Sequence, residues 1–317
     1  MTPTPGGRST GVISLIALLA VAAAGGGCAA LSPTYGPPQV VVTETVATVT
    51  GLPVQGGVGA PGDLASLSAE PPPADLVSPP APVATGATAV DLDSVVAAVP
   101  EDAGIAVVPV GGGEPREAGT WRTGVAWSTI KVPLAVAVAR TDPRVLRDNA
   151  AAISVSDNRA AENLWSHLGG GAASAAATGR ILTEGGDVTS EVPSVRMRPG
   201  YTVFGQTRWA LVDQTRFASA LPCMDGASPV IELMGRIAPD QRWGLGRLPG
   251  ARFKGGWGPG DGGGYLVRQF GLIPAAGGDV AVSLAVDAPT FEAGTAALST
   301  MADALAPQLA SLPGGGC

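Results

Sequence analysis

The two lysines of the chain are its first candidates for acid–base chemistry. Among 19 Lys and Arg residues in 317, only Lys131 and Lys254 are lysines, and Lys131 follows Ser128 by three positions in "WSTIKVPLAVAVAR". A serine hydroxyl is a weak nucleophile until a base takes its proton. Lysine can be that base when burial or a neighbouring positive charge lowers its pKa, whereas arginine stays protonated. A chain that otherwise uses arginine therefore indicates a chemical role for the lysine one helical turn from Ser128.

The start of an apolar helix suits such a nucleophile. Backbone N–H groups of a first turn have no partner within the helix, so the N–H of Ser128 is free to bind a developing oxyanion. Pro133 removes a donor and is tolerated only in the first turn. We therefore expect the helix to begin very near Ser128.

Two further polar motifs follow along the chain. Ser156, Asp157 and Asn158 come 28 residues after the candidate nucleophile and open a predicted helix, "SDNRAAENLWSHLGGG". The second lysine, Lys254, opens the motif "KGG" on a predicted strand. Taken singly, these residues read as a helix cap, a turn residue and surface charges. Those readings do not explain why both lysines of the chain fall in such motifs.

Together the three motifs resemble the Ser-x-x-Lys, Ser-Asp-Asn and Lys-Thr-Gly signature of the penicillin-recognising serine enzymes. That family comprises the serine β-lactamases, class A in particular, and the D,D-peptidases called penicillin-binding proteins. The resemblance extends from about Val90 to the C terminus. It implies that Ser128 is the acylated nucleophile, that Lys131 accepts its proton or holds it activated, and that Ser156 relays a proton to the leaving nitrogen.

The resemblance also implies how substrate is bound. Asn158 would hydrogen-bond the substrate amide, and Lys254 would attract the substrate carboxylate. The oxyanion hole would use the backbone N–H groups of Ser128 and Trp257. Gly256 would leave room for substrate along the strand edge.

Two positions depart from the family pattern. Gly255 replaces the hydroxyl residue of Lys-Thr-Gly, which normally helps to bind the carboxylate; Arg252 or Arg268 could take over this contact. Glu191 lies near the expected position of the glutamate that activates the deacylating water in class A enzymes, but Val195 stands where those enzymes have asparagine. Glu191 is thus a candidate base for deacylation, with a surface carboxylate as the alternative.

These residues predict a cell-envelope serine hydrolase or acyltransferase that acts on a β-lactam or a D-alanyl peptide of peptidoglycan through an acyl-serine intermediate. The alternative is a catalytically weak or inactive β-lactamase-fold lipoprotein that binds peptidoglycan or a protein partner. The departures favour the alternative, and the retained polar residues favour the enzyme. We expect a monomer in either case.

Other chemistries lack the residues they need. His167 is the only histidine and no Gly-x-Ser-x-Gly motif is present, which argues against a Ser-His-Asp hydrolase. No cluster of His, Cys and carboxylates predicts a metal site, and no cofactor is implied. The net charge of −7 without a basic cluster argues against a nucleic-acid partner.

The first 90 residues are predicted to export and tether the protein. Residues 1–28 resemble a signal peptide, because Arg8 precedes an apolar run that is too short to span a bilayer. Cys28 follows small residues as in a lipobox, although Gly25 stands where that box usually has a branched aliphatic residue. Residues 29–90 are rich in Pro, Ala and Gly and predict a disordered linker. We expect a lipoprotein anchored to the outer face of the cell membrane, with an ordinary cleavable signal as the alternative.

Residues 91–317 predict one domain of α+β type. The predicted order is helix, two strands, several helices, three strands and a final helix. Strands from both ends should join an antiparallel sheet of about five strands flanked by terminal helices, with a mainly helical lobe beside it, which is the fold of the resembled family. Besides Cys28 the chain has Cys223 and Cys317, which an exported protein is expected to pair. Two free thiols are the alternative.

Overall fold

A five-stranded antiparallel sheet lies at the centre of the fold. The structure is a computed structural model that describes residues 90–317, so the predicted signal segment, Cys28 and the linker lie outside the described residues. In chain order the strands are β1 (Asp102–Pro109), β2 (Arg116–Gly119), β3 (Thr123–Val125), β4 (Arg208–Ala210), β5 (Arg252–Pro259), β6 (Tyr265–Ala275) and β7 (Gly278–Ala288). The sheet order is β2-β1-β7-β6-β5, while β3 and β4 form a separate antiparallel pair. Strands from both ends of the chain thus meet in one sheet, which confirms the prediction; the small β3–β4 sheet was not predicted.

Helices cover both faces of this sheet. The helices are α1 (Leu92–Val96), α2 (Lys131–Thr141), α3 (Pro143–Asp148), α4 (Ala151–Ser154), α5 (Asn158–His167), α6 (Gly171–Glu184), α7 (Leu211–Ala220), α8 (Ser228–Met234) and α9 (Phe291–Leu305). Val267 of β6 touches Gly294 of α9, whereas Phe270 of the same strand packs on Phe217 of α7 with ring centroids 6.1 Å apart. Residues an odd number of positions apart in a strand point to opposite faces, so α7 and α9 lie on opposite sides. This two-sided cover explains why β7 is a nearly continuous apolar run.

The remaining helices form the predicted helical lobe around α2. All residues from Lys131 to Ala139 are buried, and α2 contacts α3, α4, α5, α6 and α8. A helix buried on all sides is apolar all round, which accounts for "VPLAVAVA" and makes the single lysine in it conspicuous. None of the helices in the range 90–317 combines the length and the apolar character needed to cross a bilayer.

A disulfide joins the C-terminal tail to the short turn that follows α7. Cys223 ends the short turn after α7 and is bonded to Cys317, with Cα atoms 5.4 Å apart. The tail also forms isolated bridges to the β6–β7 hairpin through Pro313 and Gly315. The cross-link therefore helps to hold the last residues of the chain beside the β6–β7 hairpin.

Reduction of this disulfide is expected to lower the midpoint of thermal unfolding. The bond spans a sequence separation of 94 residues. A cross-link typically stabilises a fold by about 2–4 kcal/mol, mainly by restricting the unfolded chain. Calorimetry with and without reductant, in a Cys28→Ser background, measures the shift. The matched Cys223→Ser/Cys317→Ser variant should not respond to reductant, and a wild-type midpoint that stays constant after both thiols are shown to be free would contradict the prediction.

Candidate active site

Ser128 lies where the small sheet meets the helical lobe. A 3-10 turn, Trp127–Ile130, follows β3 and leads directly into α2. Ser128 is partly exposed, while the residues on either side of it are buried. Pro133 falls in the first turn of α2, where its missing N–H breaks no helical hydrogen bond. The helix thus begins near the serine, as predicted.

The side chain of Lys131 is fully buried beside the second polar motif. Its Nζ donates to the Ser156 carbonyl (2.5 Å) and to Asn158 Oδ1 (2.8 Å), with a longer contact to Ser156 Oγ (3.4 Å). Burial lowers the pKa of Lys131 to about 7, against a smaller opposing effect of Asp157 and Glu162. A large fraction of this amine is therefore neutral near pH 7, as a general base requires.

Ser128 and Lys131, the predicted nucleophile and base, form no hydrogen bond with each other. Ser128 Oγ is not among the hydrogen-bond partners of Lys131 Nζ. A neutral amine has two N–H groups, which suffice for the two short contacts of Lys131 and leave its lone pair for a third partner. Catalytic hydrogen bonds often form or shorten only in the substrate complex. The observed arrangement is therefore compatible with a Ser128–Lys131 hydrogen bond that forms when substrate binds.

The hydroxyl of Ser156 lies between the two lysines. Lys254 Nζ donates to Ser156 Oγ (2.9 Å) and to the carbonyl of Gly255 (2.7 Å). Lys254 is fully buried on β5, and burial together with the nearby Lys131 holds its pKa well below the usual range. The Ser156 hydroxyl thus contacts both amines and is positioned to pass a proton between them.

Backbone strain coincides with these residues. Trp127 (φ 49°) and Ser156 (φ 59°) are the non-glycine residues with positive φ within residues 90–317. Such conformations cost about 1–3 kcal/mol and persist where the surroundings fix them, commonly at functional sites. Next to Ser156, the Asp157 side chain caps α5 by accepting a hydrogen bond from the N–H of Ala160 (2.6 Å). The cap fixes the chain direction that turns Ser156 towards both lysines.

Gly256 allows β5 to lie directly against the nucleophile turn. A Cβ at this position would lie 2.8 Å from the Ala126 carbonyl oxygen and 2.9 Å from Ser128 N, so a side chain would require the backbone to move. Because β5 is an edge strand of the sheet, one side of its backbone faces no neighbouring strand. The Ser128 N–H and the β5 edge are adjacent, as an oxyanion hole shared with the Trp257 N–H requires.

A cavity of about 340 Å³ opens at this junction. Four predicted site residues line it, namely Ser128, Ser156, Asn158 and Trp257. The other lining residues are Trp127, Gly200, Tyr201, Thr202, Gly205, Gly258, Pro259 and Tyr265. The lining therefore contains no Asp or Glu side chain.

Glu191, the predicted candidate for a deacylation base, lies elsewhere. It is exposed and lines a separate groove of about 580 Å³ between the segment 189–197 and β4. That groove shares no lining residue with the cavity at Ser128. The structure therefore does not bring Glu191 to the nucleophile.

Arg252 and Arg268, either of which could have compensated for Gly255, do not line the cavity either. Arg252 forms an ion pair with a carboxylate of β7. Arg268 is fully buried on β6, where burial lowers its pKa to about 9, and its guanidinium donates to backbone carbonyls of β3 and β4. The space beside Gly255 is taken by Trp243, whose ring would lie 3.1 Å from a Cβ at position 255. An indole ring thus replaces the hydroxyl that the family motif carries.

Sequence reasoning missed the aromatic lining and the structural contact that the buried Arg268 makes. Trp127, Tyr201 and Tyr265 belong to no motif, although the chain has only three tyrosines and 4% aromatic residues, which is a weak signal. Arg268 donates to the carbonyls of Gly124 and Val125, just before the nucleophile turn, and so holds that segment in place. No local pattern marks this long-range contact in the sequence.

Burial of Lys131 predicts a pH-dependent stability. The pKa of this lysine is about 7 in the folded protein and 10.5 ordinarily, so between these values the unfolded chain binds one more proton. By linkage, this group makes the free energy of unfolding rise with pH in that window by about 1.4 kcal/mol per pH unit. From about pH 7.5 to pH 9.5 the wild type should therefore gain about 2–3 kcal/mol relative to Lys131→Met. Urea unfolding at each pH measures both proteins, and parallel pH dependences would refute the assignment.

The fold is similar to that of solved β-lactamases. A β-lactamase from Sphaerobacter thermophilus is 20% identical, with a TM-score of 0.55, over 71% of this chain and 100% of that chain. An ancestral class A β-lactamase is 18% identical (TM-score 0.52; 68% and 98% covered), and a β-lactamase from Chitinophaga pinensis is 17% identical (TM-score 0.52; 67% and 94% covered). No protein-family model and no curated protein matches the sequence. The domain described by residues 90–317 therefore has the fold of the class A β-lactamases, as the resemblance in its three motifs implied.

Proposed function

We propose that this protein is a serine acyl-transfer enzyme of the cell envelope that forms an acyl-enzyme on Ser128 with a β-lactam or a D-alanyl peptide. The observation that carries the proposal is the shared environment of the two buried lysines, whose amines both contact Ser156 at the cavity that holds Ser128. An amine with a pKa of about 7, three residues along the chain from Ser128, is a base of the kind that a serine hydroxyl needs.

Acylation follows from these contacts. Ser128 Oγ attacks the carbonyl carbon of the substrate amide and transfers its proton to neutral Lys131 Nζ. The developing oxyanion lies between the backbone N–H groups of Ser128 and Trp257. The carbon–nitrogen bond then breaks as Ser156 gives its hydroxyl proton to the leaving nitrogen, and Lys131 returns the proton to Ser156. The product is an ester on Ser128, with the released amine either freed or, in a β-lactam, still attached.

Substrate binding draws on the rest of the same site. The Asn158 side chain accepts a hydrogen bond from Lys131 through Oδ1, which leaves its amide N–H groups for a substrate carbonyl. Lys254 draws the negative end of a substrate when it is protonated, and its lowered pKa limits this attraction at high pH. A carboxylate of the substrate gains no hydroxyl contact at Gly255.

A second function has support from specific features of the site. The carboxylate-free lining, the indole in place of the motif hydroxyl and the unengaged Ser128 would also suit a β-lactamase-fold module that binds peptidoglycan or a protein without turnover. The buried lysines favour the enzyme, because two amines buried without catalytic use would only reduce stability.

We also propose where in the cell the protein acts. The short apolar segment of residues 11–24, Cys28 and the Pro-rich linker support an exported lipoprotein anchored to the outer face of the cell membrane. There a domain on a long linker would reach peptidoglycan stem peptides. We propose that it acts as a monomer.

Labelling with a fluorescent penicillin, followed by peptide mass spectrometry, tests this function. We expect one adduct, on Ser128, and none in Ser128→Ala. Ser166→Ala, which alters an exposed serine of α5, should label like the wild type. A wild type that stays unlabelled at high reagent concentration would favour the binding module.

A further inference from the structure

Strand β5 carries aromatic side chains on the side that faces away from the nucleophile. Trp257 pairs with Val267 of β6, and Val267 touches Gly294 of α9, so the Trp257 ring lies on the α9 side of the sheet. Gly256, its neighbour in β5, points the other way and lies against the turn that carries Ser128. The ring of Trp257 therefore lies behind the strand that borders the cavity.

Four rings form a continuous cluster on this side. Phe291, the first residue of α9, lies at its centre. The centroid of its ring is 5.3 Å from that of Trp257 and 6.1 Å from those of Trp243 and Tyr265. Trp243 also packs edge-on against Trp257 at 6.0 Å. All four residues are only partly buried, so this aromatic cluster presents apolar ring surface of the kind that binding partners cover.

A proline-rich sequence of the same chain has the chemistry that such rings recognise. Residues 78–82, which lie outside the described range, read "SPPAP", with Pro79 and Pro82 in a Pro-x-x-Pro spacing. Sequences of this kind favour the polyproline II helix and dock on surfaces lined by aromatic rings. The conformational entropy lost on docking is small, because proline already restricts the backbone.

The described part of the chain begins beside the helix that carries Phe291. The N–H of Asp91 donates to Oε1 of Gln308 (2.7 Å), three residues beyond the end of α9, and Arg116 donates to the carbonyl of Val90 (2.6 Å). The 15 residues of α9 therefore separate Val90 from the aromatic cluster. At 1.5 Å per helical residue, with the turn that follows, this separation is about 25–30 Å.

The chain before Val90 is long enough to cover this distance. Pro82 precedes Val90 by eight residues, and Pro79 precedes it by eleven. At about 3.3 Å per extended residue, these lengths reach about 26 Å and about 36 Å. A tether this short also gives the segment an effective concentration in the range of about 1 mM, so weak contacts suffice for docking.

We propose that residues 78–82 dock on the aromatic cluster of their own chain. The proline rings pack on the exposed parts of the aromatic rings and remove apolar surface from water. A glycan or a separate protein would meet the same rings without the advantage of the tether. The contact is independent of reaction at Ser128, because it uses the other side of β5.

Fluorine NMR of the full chain labelled with 5-fluorotryptophan tests the contact. In Pro79→Ala/Pro80→Ala/Pro82→Ala the signals of Trp243 and Trp257 should shift, because the prolines no longer pack on their rings. Trp243→Phe and Trp257→Phe assign the two signals. The three substitutions lie outside the folded domain, so a failure to fold does not complicate the comparison.

The controls use the same protein in a Cys28→Ser background. The signal of Trp209, which is fully buried, should be the same in every linker variant. Pro33→Ala/Pro37→Ala/Pro38→Ala also removes three prolines but leaves residues 78–82 intact, and it should give the wild-type spectrum. Equal shifts in both triple variants would mean that proline content alone matters and would overturn the proposal.

A synthetic peptide of residues 76–85 completes the test. Added to the variant that lacks the three docking prolines, it should restore the wild-type signals with a dissociation constant below about 1 mM, the effective concentration of the tether. Wild-type signals in that variant before any addition would overturn the proposal, and a glycan or protein that then shifted them would be the occupant instead. The spectra involve no acylation, so this result and that of the penicillin labelling stand or fall separately.

Discussion

Replacement of Lys131 by arginine is expected to lower the rate constant for acylation of Ser128 at least about 100-fold. A positioned general base contributes about 10²–10⁴ to a rate. Arginine keeps the charge and the hydrogen-bond donors but does not deprotonate, so the serine loses its proton acceptor. Its larger head group must also fit a side-chain site that is fully buried. Stopped-flow or quenched labelling with a reporter penicillin measures the rate.

The pH profile identifies the amine as the base. Only neutral Lys131 accepts a proton, so the wild-type acylation rate should rise with pH through about 7 and then level off. At about pH 5 it should be roughly a hundredfold below the plateau. Arg144→Lys, on the exposed side of α3, is the control and should keep both rate and profile. If Lys131→Arg retained a tenth of the wild-type rate, or if the profile were flat from pH 5 to pH 8, Lys131 would not be the base.

Local signals in the sequence were sufficient for the individual elements, and the resemblance in the three motifs supplied the arrangement of the polar site. The apolar run of β7 and the helical spacing of α2 depend on short-range patterns, and the motif residues Ser156 and Lys254 do meet in space. Their convergence is predictable because the three motifs have a known order on known elements. The family resemblance, not composition, supplied that order.

Long-range contacts explain what the sequence did not predict. The position of Glu191 depends on the path of the segment between α6 and β4. Its part from Arg198 to Thr202 is held by hydrogen bonds to the buried Gln206, which no local sequence pattern predicts. Arg268 donates hydrogen bonds to carbonyls of β3, just before the turn that carries Ser128. This contact depends on the pairing of β6 with β5, which local patterns do not reveal. Likewise, Gly255 reads as a missing hydroxyl in the sequence, and only the neighbouring Trp243 shows that the space is filled.

The acyl-enzyme on Ser128 is expected to be long-lived, with deacylation at least about 100-fold slower than acylation. The attacking water must lose a proton, and a carboxylate that accepts it normally contributes about 10²–10⁴. The cavity lining provides no such carboxylate, whereas acylation has Lys131. Nitrocefin should therefore give a burst of about one equivalent followed by slow turnover, and the adduct should persist in intact-mass spectra.

Two substitutions decide whether the missing carboxylate is the cause. Glu191→Gln, which removes the charge of the exposed glutamate at constant shape, should leave the lifetime of the adduct unchanged, because Glu191 lines a different groove. Thr202→Glu adds a carboxylate to the lining of the cavity that Ser128 also lines and should shorten the lifetime, provided that its acylation rate stays close to that of the wild type. A lifetime that lengthens about tenfold or more in Glu191→Gln would show that the loop before β4 brings its glutamate to the ester in the acylated state. Rapid multiple turnover by the wild type would show that some other group activates the water, and the protein would then be a β-lactamase in activity as well as in fold.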